Sequence, residues 1–298
     1  MKNPVAGIFD RDTVLHLRIP FSLFLFPIFC FAVSQASLIN WMNILLVFIS
    51  LHFFIYPASN AYNSYMDKDK GSIGGLKVPP PVTIKLYYAS IIFDTAGLIL
   101  CLFVNIRLAL LMLLYVMVSK AYSWKGIRLK KYAILSWLVV ILFQGGGTFM
   151  MVNMCAVNRF DASWFTGKNI YCMFLASLLI GGFYPLTQIY QHQEDSARGD
   201  ITISYRLGVI GTFIFTAALF IAANGLAFYY FNTFYSIKHF LLFNLCLLPV
   251  TAYFLYWFVV TLKDRSKADY DHSSRMTMIS SLSMIVCFVV IFFLNHTF

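Results

Sequence analysis

A short stretch of the chain places amide and carboxylate side chains at spacings of three and four residues. Asn60, Asn63 and Asp67 follow this interval, so a helix would carry all three on one face. Asp69 comes two positions later. Mg²⁺ takes oxygen ligands, usually one or two carboxylates with substrate phosphates completing the shell. The stretch therefore predicts part of a magnesium site that holds a phosphorylated ligand.

A second stretch repeats this pattern further along the chain. Gln188, Gln191 and Asp195 share the same interval, and Glu194 lies beside them. Ordinary polarity at a helix end is the alternative explanation for either stretch. Taken together, they predict two facing helical stripes with Mg²⁺ between them. The expected metal ligands are Asn63, Asp67, Asp69, Gln191, Glu194 and Asp195.

Basic residues that follow or separate the two stretches can donate hydrogen bonds to a diphosphate. The candidates are Lys70, Lys77, Lys120, Lys125, Arg128, Lys130 and Arg198. The alternative for each of them is a charge that only sets membrane orientation.

The composition identifies the elements that must position these residues. Of the 298 residues, 60% are hydrophobic and only 11% are charged, against about 25% charged in soluble domains. These values exclude a disordered chain, a secreted disulfide scaffold and almost any soluble fold. The apolar runs are continuous and about 20 residues long, which favours transmembrane helices over an outer-membrane barrel.

Nine such runs predict an all-α integral membrane protein: one domain over residues 1–298, with the helices in a single bundle around a central substrate chamber. The predicted helices are 17–37, 41–62, 84–104, 106–122, 132–155, 169–190, 207–231, 239–262 and 277–296. This arrangement puts 18 of the 22 Lys and Arg residues on the N-terminal side. The positive-inside rule then makes the N-terminus cytoplasmic. The net charge of +10 reflects this topology, and no nucleic-acid partner is expected.

Further polar residues lie within or near the predicted helices. Ionisable residues inside a membrane often mark functional sites, and Asp94 lies inside the third helix. The expected chamber residues are Arg18, Asn60, Asp94, Gln144 and Gln188. The segment 74–81, rich in glycine and proline, is expected to form part of a cap over the site, with a simple linker as the alternative.

At these residues the chain resembles the UbiA superfamily of intramembrane prenyltransferases. The family's first motif, Asn-x-x-x-Asp followed four residues on by another acid, reads Asn63-Ser-Tyr-Met-Asp67-Lys-Asp69-Lys-Gly71 here. Its second motif, Asp-x-x-x-Asp, reads Gln191-His-Gln-Glu194-Asp195, and is followed by Gly199-Asp-Ile-Thr202 and Arg206-Leu-Gly208. The segments Tyr122-Ser123 … Arg128-Leu-Lys130 and Arg18-Ile-Pro20 also match. Three motifs in order on one membrane face make the resemblance specific.

The resemblance implies a multi-pass enzyme of the cell membrane, or of the inner membrane in a bacterium. Its expected cofactor is Mg²⁺, and its expected substrates are an isoprenoid diphosphate and an aromatic or other lipophilic acceptor within the membrane lipid. Mg²⁺ would promote ionisation of the diphosphate, and aromatic faces would stabilise the allylic cation. Catalytic roles are implied for Asp67, Asp195 and Tyr122.

The chain departs from the family pattern at Gly71 and Gln191, where acids are usual. Asp69 and Glu194 lie close enough to substitute for them. The departures leave open a rearranged metal site, an unusual substrate or a lost activity. A terpene cyclase of the same superfamily is one alternative function, because it needs the same metal site and aromatic chamber. A transporter or binding protein is the alternative from another class.

Overall fold

The computed structural model describes residues 7–296, and within that range nine helices are long and apolar enough to cross a membrane. The predicted all-helical membrane fold is confirmed. The helices are α1 (Arg11–Ser34), α2 (Trp41–Asp67), α3 (Lys85–Val104), α4 (Ile106–Ser123), α5 (Ala133–Ala156), α6 (Gly167–Thr187), α7 (Ile203–Phe234), α8 (Ile237–Lys263) and α9 (Tyr270–His296).

Several helices extend beyond their apolar runs. The structure continues α2 to Asp67 and begins α9 at Tyr270, whereas the hydrophobic pattern predicted boundaries at residues 62 and 277. Backbone hydrogen bonds continue a helix into its polar end, where hydropathy no longer marks it. The first polar stretch is therefore the last turns of α2 itself.

Backbone irregularities interrupt three of these helices. In α1, Arg18 has the left-handed conformation (φ 50°) between the helix Arg11–Leu17 and a 3₁₀ segment. In α2, a π-helical turn spans Ser50–Ile55, and a second spans Ile141–Gly147 in α5. Such turns re-aim the side chains that follow them.

Aromatic packing joins distant helices in the core. The Phe31 ring of α1 stacks on Phe288 of α9 with ring centroids 4.7 Å apart, and its centroid lies 5.0 Å from that of Phe149 in α5. All three side chains are fully buried. Because α9 packs against α1, the last helix closes the bundle onto the first.

Candidate active site

The first polar stretch forms the helical stripe that its spacing predicts. Asn60, Asn63 and Asp67 all lie in the regular segment Tyr56–Asp67, which ends where Lys68 turns left-handed (φ 54°). The hydroxyl of Ser123, at the end of α4, donates a hydrogen bond to Oδ1 of Asn63 at 2.5 Å. The end of α4 thereby fixes the orientation of the Asn63 amide.

The second stretch lies on a turn rather than on one helix, so the predicted helical stripe is wrong here. The α-helical part of α6 ends at Phe183, and a 3₁₀ turn covers Tyr184–Thr187. Gln188 and Gln191 follow in a turn, and Asp195 belongs to the short helix His192–Ala197. Pro185 cannot continue an α-helical hydrogen-bond ladder. The three side chains nevertheless line one cavity.

That cavity has a volume of about 240 Å³ and lies between α1, α2, α4, α5 and α6. One part of its wall is charged or polar, and another part is aromatic or aliphatic. The polar lining includes Arg18, Asn60, Asn63, Asp67, Asp69, Lys130, Gln144, Gln188, Gln191, Asp195 and Arg198. The apolar and phenolic lining includes Phe21, Tyr115, Tyr122, Val139, Val140, Phe143 and Tyr184. The cavity therefore joins a charged end to an apolar end.

Ion pairs link the carboxylates at the charged end to cations from neighbouring loops. Lys130, after α4, forms an ion pair with Asp67. Arg198 pairs with Asp69 and, at 2.8 Å, with Asp195. Burial raises the pKa of Asp195 to about 6, and the charges of Arg198 and Lys130 offset only part of this rise. The cluster thus combines carboxylates, which can bind a metal, with cations, which can bind a phosphate.

Two further contacts connect predicted residues to the cavity wall. The Arg18 guanidinium donates hydrogen bonds to the backbone carbonyls of Gly74 at 2.9 Å and Asn60 at 3.0 Å. It therefore ties α1 to α2 and to the 74–81 segment, whose first residue lines the cavity as the cap prediction requires. The Tyr122 hydroxyl forms a short hydrogen bond with the hydroxyl of Tyr184.

Several predicted site residues do not line the cavity. Lys70 and Lys125 are exposed. Lys77 forms a solvent-exposed ion pair with Asp271 at 2.7 Å, which ties the cap to the start of α9. Lys120 pairs at 2.7 Å with Asp94, between α3 and α4. These contacts give Lys77, Lys120 and Asp94 partners other than a substrate.

Arg128 and Glu194 stand behind the cavity wall rather than in it. Arg128 binds Asp200 through two hydrogen bonds, and its Nη2 lies 3.7 Å from Asp67. Oε1 of Glu194 accepts a hydrogen bond from the backbone N–H of Gly71 at 2.6 Å. Arg128 therefore lies next to an acid that faces the cavity, whereas Glu194 holds the loop after α2.

Both departures from the family pattern form contacts between the two polar stretches. The Gly71 N–H binds Glu194, and the Gln191 side-chain amide donates to the backbone carbonyl of Ser72 at 3.1 Å. An acid at either position would lose or disrupt its contact. These residues join the loop after α2 to the loop after α6.

Several residues of the site, Tyr184 and Asp200 among them, were not sequence candidates. Tyr184 lines the cavity beside Tyr122, and Asp200 lies behind it with its carboxylate fully buried. Asp200 follows Gly199 in the sequence. Its spacing from the other acids did not distinguish a site residue from an ordinary charged residue of a loop. Tyr184 is one of 18 tyrosines, and no local pattern singles it out.

The donor set of the cavity fits a divalent cation that keeps few protein ligands. Among residues 7–296, no group of three or more His, Cys, Asp or Glu side chains is close enough to form a complete metal site. Oδ1 of Asp67 is buried without a hydrogen-bond partner, and Asn63, Asp69 and Asp195 add oxygen atoms to the same wall. Mg²⁺ suits such a set because phosphate oxygens can complete its shell.

A second cavity, of about 600 Å³ and mostly apolar, lies between α1, α6, α7, α8 and α9. Neighbouring residues of α6 line the two cavities, Phe183 the second and Tyr184 the first. Phe21 and Phe24 do the same in α1, and their rings meet edge to face at 5.0 Å. The second cavity is thus separated from the first by side chains of α1 and α6.

Known structures share this architecture at low sequence identity. A UbiA homologue from Archaeoglobus fulgidus bound to GPP and Mg²⁺ superposes with a TM-score of 0.67 at 17% identity, covering 94% of this chain and 99% of that one. An apo UbiA homologue from Aeropyrum pernix K1 gives 0.64 at 16% identity, covering 90% and 98%. A structure described for digeranylgeranylglyceryl phosphate synthase gives 0.58 at 18% identity, covering 94% and 98%.

Among curated proteins, a sequence search finds no match. The model of the UbiA prenyltransferase family, in contrast, matches residues 23–282. That range runs from α1 into α9 and contains both polar stretches. The chain belongs to the UbiA prenyltransferase family, and is a multi-pass membrane protein.

Proposed function

We propose that this protein is a Mg²⁺-dependent prenyltransferase that transfers the prenyl group of an isoprenoid diphosphate to an aromatic or other lipophilic acceptor. The observation that carries the proposal is the two-part cavity, with carboxylates and cations at one end and aromatic side chains at the other. An isoprenoid diphosphate has the matching chemistry, a trianionic head on an apolar tail. Structures of the A. fulgidus homologue with GPP or DMAPP and Mg²⁺ support this assignment.

At the charged end, Asp67 and Asp195 would hold the metal, with oxygen atoms of Asn63 and Asp69 on the same wall. Bound Mg²⁺ would neutralise diphosphate oxygens and weaken the bond between oxygen and the allylic carbon. Lys130 and Arg198 would donate hydrogen bonds to the leaving diphosphate. Both cations already lie against the metal-binding acids.

At the apolar end, aromatic rings would surround the reacting carbon. The bond between the allylic carbon and oxygen breaks with its electron pair leaving on the diphosphate. Tyr122 and Tyr184 lie between the charged and apolar parts of the wall, and Tyr115 and Phe143 add two more rings. Aromatic faces attract a cation, and the apolar wall excludes water that would otherwise capture it. The acceptor then bonds to the carbon and releases a proton.

The second cavity, of about 600 Å³, supports a place for the rest of the prenyl chain or for the acceptor. We propose that chains longer than the first cavity can hold pass the Phe21–Phe24 pair into this second space. The second cavity is lined in part by exposed apolar side chains, Ile221, Leu248 and Leu255, so substrates would enter it from membrane lipid. The excess of basic residues on the N-terminal side supports a cytoplasmic position for the charged end.

The test is an assay of the purified protein with Mg²⁺ and allylic diphosphates of increasing length, with and without a cell lipid extract. Released diphosphate is quantified, and the extracted lipids are analysed by mass spectrometry. Diphosphate release that requires the extract, together with a prenylated product, supports the transferase. A free cyclic hydrocarbon or alcohol formed without the extract would assign a cyclase instead. No release from any diphosphate would overturn both.

A further inference from the structure

Asp200 is a fully buried acid that does not line the cavity. Its side chain has no exposed surface, and it follows Gly199, whose left-handed conformation (φ 76°) ends the short helix His192–Ala197. The backbone N–H of Asp200 donates to the carbonyl of Asp195 at 2.9 Å. After this turn, Asp200 lies behind the cavity wall at its charged end.

Three cations converge on the Asp200 carboxylate. Arg128 binds it with Nε at 2.7 Å and Nη2 at 2.9 Å, which is the paired geometry of a guanidinium on a carboxylate. Nζ of Lys130 lies at 3.3 Å and Nε of Arg198 at 3.6 Å. Such convergence compensates the desolvation of the buried acid, and the acid in turn offsets the mutual repulsion of the cations.

The same cations also contact the acids that face the cavity. Lys130 pairs with Asp67, and Arg198 pairs with Asp195. A metal bound to Asp67 and Asp195 would compete with these pairs and release the cations toward a phosphate group. Asp200 stays out of the cavity, so its contacts persist when the other acids change partner.

We infer that Asp200 is a positioning residue, which together with Arg128 behind the cavity wall keeps Lys130 and Arg198 in place so that both converge on one diphosphate. The inference rests on the proposed function and extends it. In the absence of Asp200, three like charges lose their common partner and separate. The diphosphate group would then bind more weakly, while the metal-binding acids and the aromatic wall stay unchanged.

The test compares wild type with Asp200→Asn in two measurements. Calorimetry with Mg²⁺ and inorganic diphosphate gives binding without turnover, and steady-state kinetics separate KM from kcat. We expect Asp200→Asn to weaken diphosphate binding and raise KM about tenfold, the effect of losing about 1.4 kcal/mol from a charged hydrogen-bond network, with a smaller change in kcat. Asp264→Asn is the matched control, because Asp264 is an exposed acid that caps a turn through Ser266.

A purely structural role predicts a different result. If Asp200 had only a structural role, Asp200→Asn would lower the melting temperature and the active fraction without changing KM or diphosphate affinity. This outcome would overturn the inference. Asp200→Glu keeps the charge but moves it by one methylene, so it decides the question if Asp200→Asn does not fold. Weaker diphosphate binding at a near-wild-type melting temperature supports positioning, and unchanged binding contradicts it. Normal binding without turnover in wild type would instead count against the proposed function.

Discussion

Oε1 of Glu194 accepts a hydrogen bond from the backbone N–H of Gly71 at 2.6 Å, and this contact joins the loops after α2 and α6. A Cβ atom at Gly71 would lie 2.8 Å from the same oxygen. A side chain at position 71 would therefore displace the Glu194 carboxylate. The family's usual acid at position 71 could be accommodated only if Glu194 gave up this hydrogen bond.

We predict that Gly71→Asp, although it restores the family motif, lowers diphosphate release about tenfold. The substitution places a second carboxylate against Glu194 and breaks a hydrogen bond to a charged group, which costs about 1.5–3 kcal/mol. Adding Glu194→Ala to Gly71→Asp should recover part of the loss. Gly167→Asp is the control, because a side chain at Gly167 meets no atom within 4 Å. A rise in activity of Gly71→Asp would show that the missing acid is a metal ligand.

A second prediction concerns pH. Burial raises the pKa of Asp195 to about 6, so protonation of Asp195 stabilises the folded protein when no metal is bound. That contribution to stability is complete below the ordinary value of 3.8 and is lost as the pH rises through about 6. Mg²⁺ requires the ionised form, so protons compete with it below pH about 6.

One metal ion then displaces one proton from Asp195. The Mg²⁺ concentration for half-maximal diphosphate release should therefore rise by up to about tenfold for each pH unit below about 6. The measurement is a Mg²⁺ titration at several pH values between 5 and 8. Asp195→Asn should remove this dependence along with most of the activity. A Mg²⁺ requirement that is constant between pH 5 and 7 would contradict a metal-binding role for Asp195.

A third prediction concerns the ion pair between Asp94 and Lys120. Both side chains are largely buried, and their charged atoms lie 2.7 Å apart. Asp94→Asn leaves the Lys120 charge uncompensated in the membrane bundle and should lower stability by about 3–5 kcal/mol. The double variant Asp94→Leu with Lys120→Met removes both charges and should lose much less. Thermal unfolding in detergent gives the comparison.

Asp271→Asn provides the matched control for that experiment. Asp271 also pairs with a lysine at 2.7 Å, but both side chains are more than half exposed, and solvent screens such a pair so that it contributes little to stability. If the Asp94 and Asp271 variants unfold at the same temperature, the buried pair is not structural. Asp94 and Lys120 would then have to be reconsidered as substrate contacts.

A fourth prediction tests the second cavity. Ala217 of α7 lines this space, whereas its neighbour Ala218 is exposed on the outside of the helix. Ala217→Trp should raise KM for long allylic diphosphates several-fold, because the indole fills about the volume that the tail requires. KM for DMAPP should stay near the wild-type value. Equal effects of Ala217→Trp and Ala218→Trp on long substrates would place the tail elsewhere.

The sequence was sufficient to predict the nine helices and the meeting of the two polar stretches. In a membrane, a long apolar run satisfies its backbone hydrogen bonds by forming a helix. The even-numbered helices then all end on the same side of the membrane. The residues Asn63 and Asp67 occupy the helical stripe that their spacing required. Hydropathy could not place the ends of α2 and α9, because polar residues continue both helices.

The second polar stretch was harder to predict because the interval of three and four residues also occurs in turns. Pro185 converts the end of α6 into a 3₁₀ turn, and tertiary contacts then bring Gln191 and Asp195 to the cavity. The partners of Lys77 and Lys120 depend on distant helices, so local sequence could not show them. The role of Asp200 arises from three cations that come from two separate loops.

The most direct test of the account is the Mg²⁺ dependence of diphosphate release by wild type, Asp67→Asn and the control Asp264→Asn. Asp67 supplies a buried oxygen without a hydrogen-bond partner at the charged end of the cavity. We expect saturable, Mg²⁺-dependent release by wild type and by Asp264→Asn, and a loss of about 100-fold or more in Asp67→Asn. Release that persists in excess chelator, or that is equal in wild type and Asp67→Asn, would contradict the account.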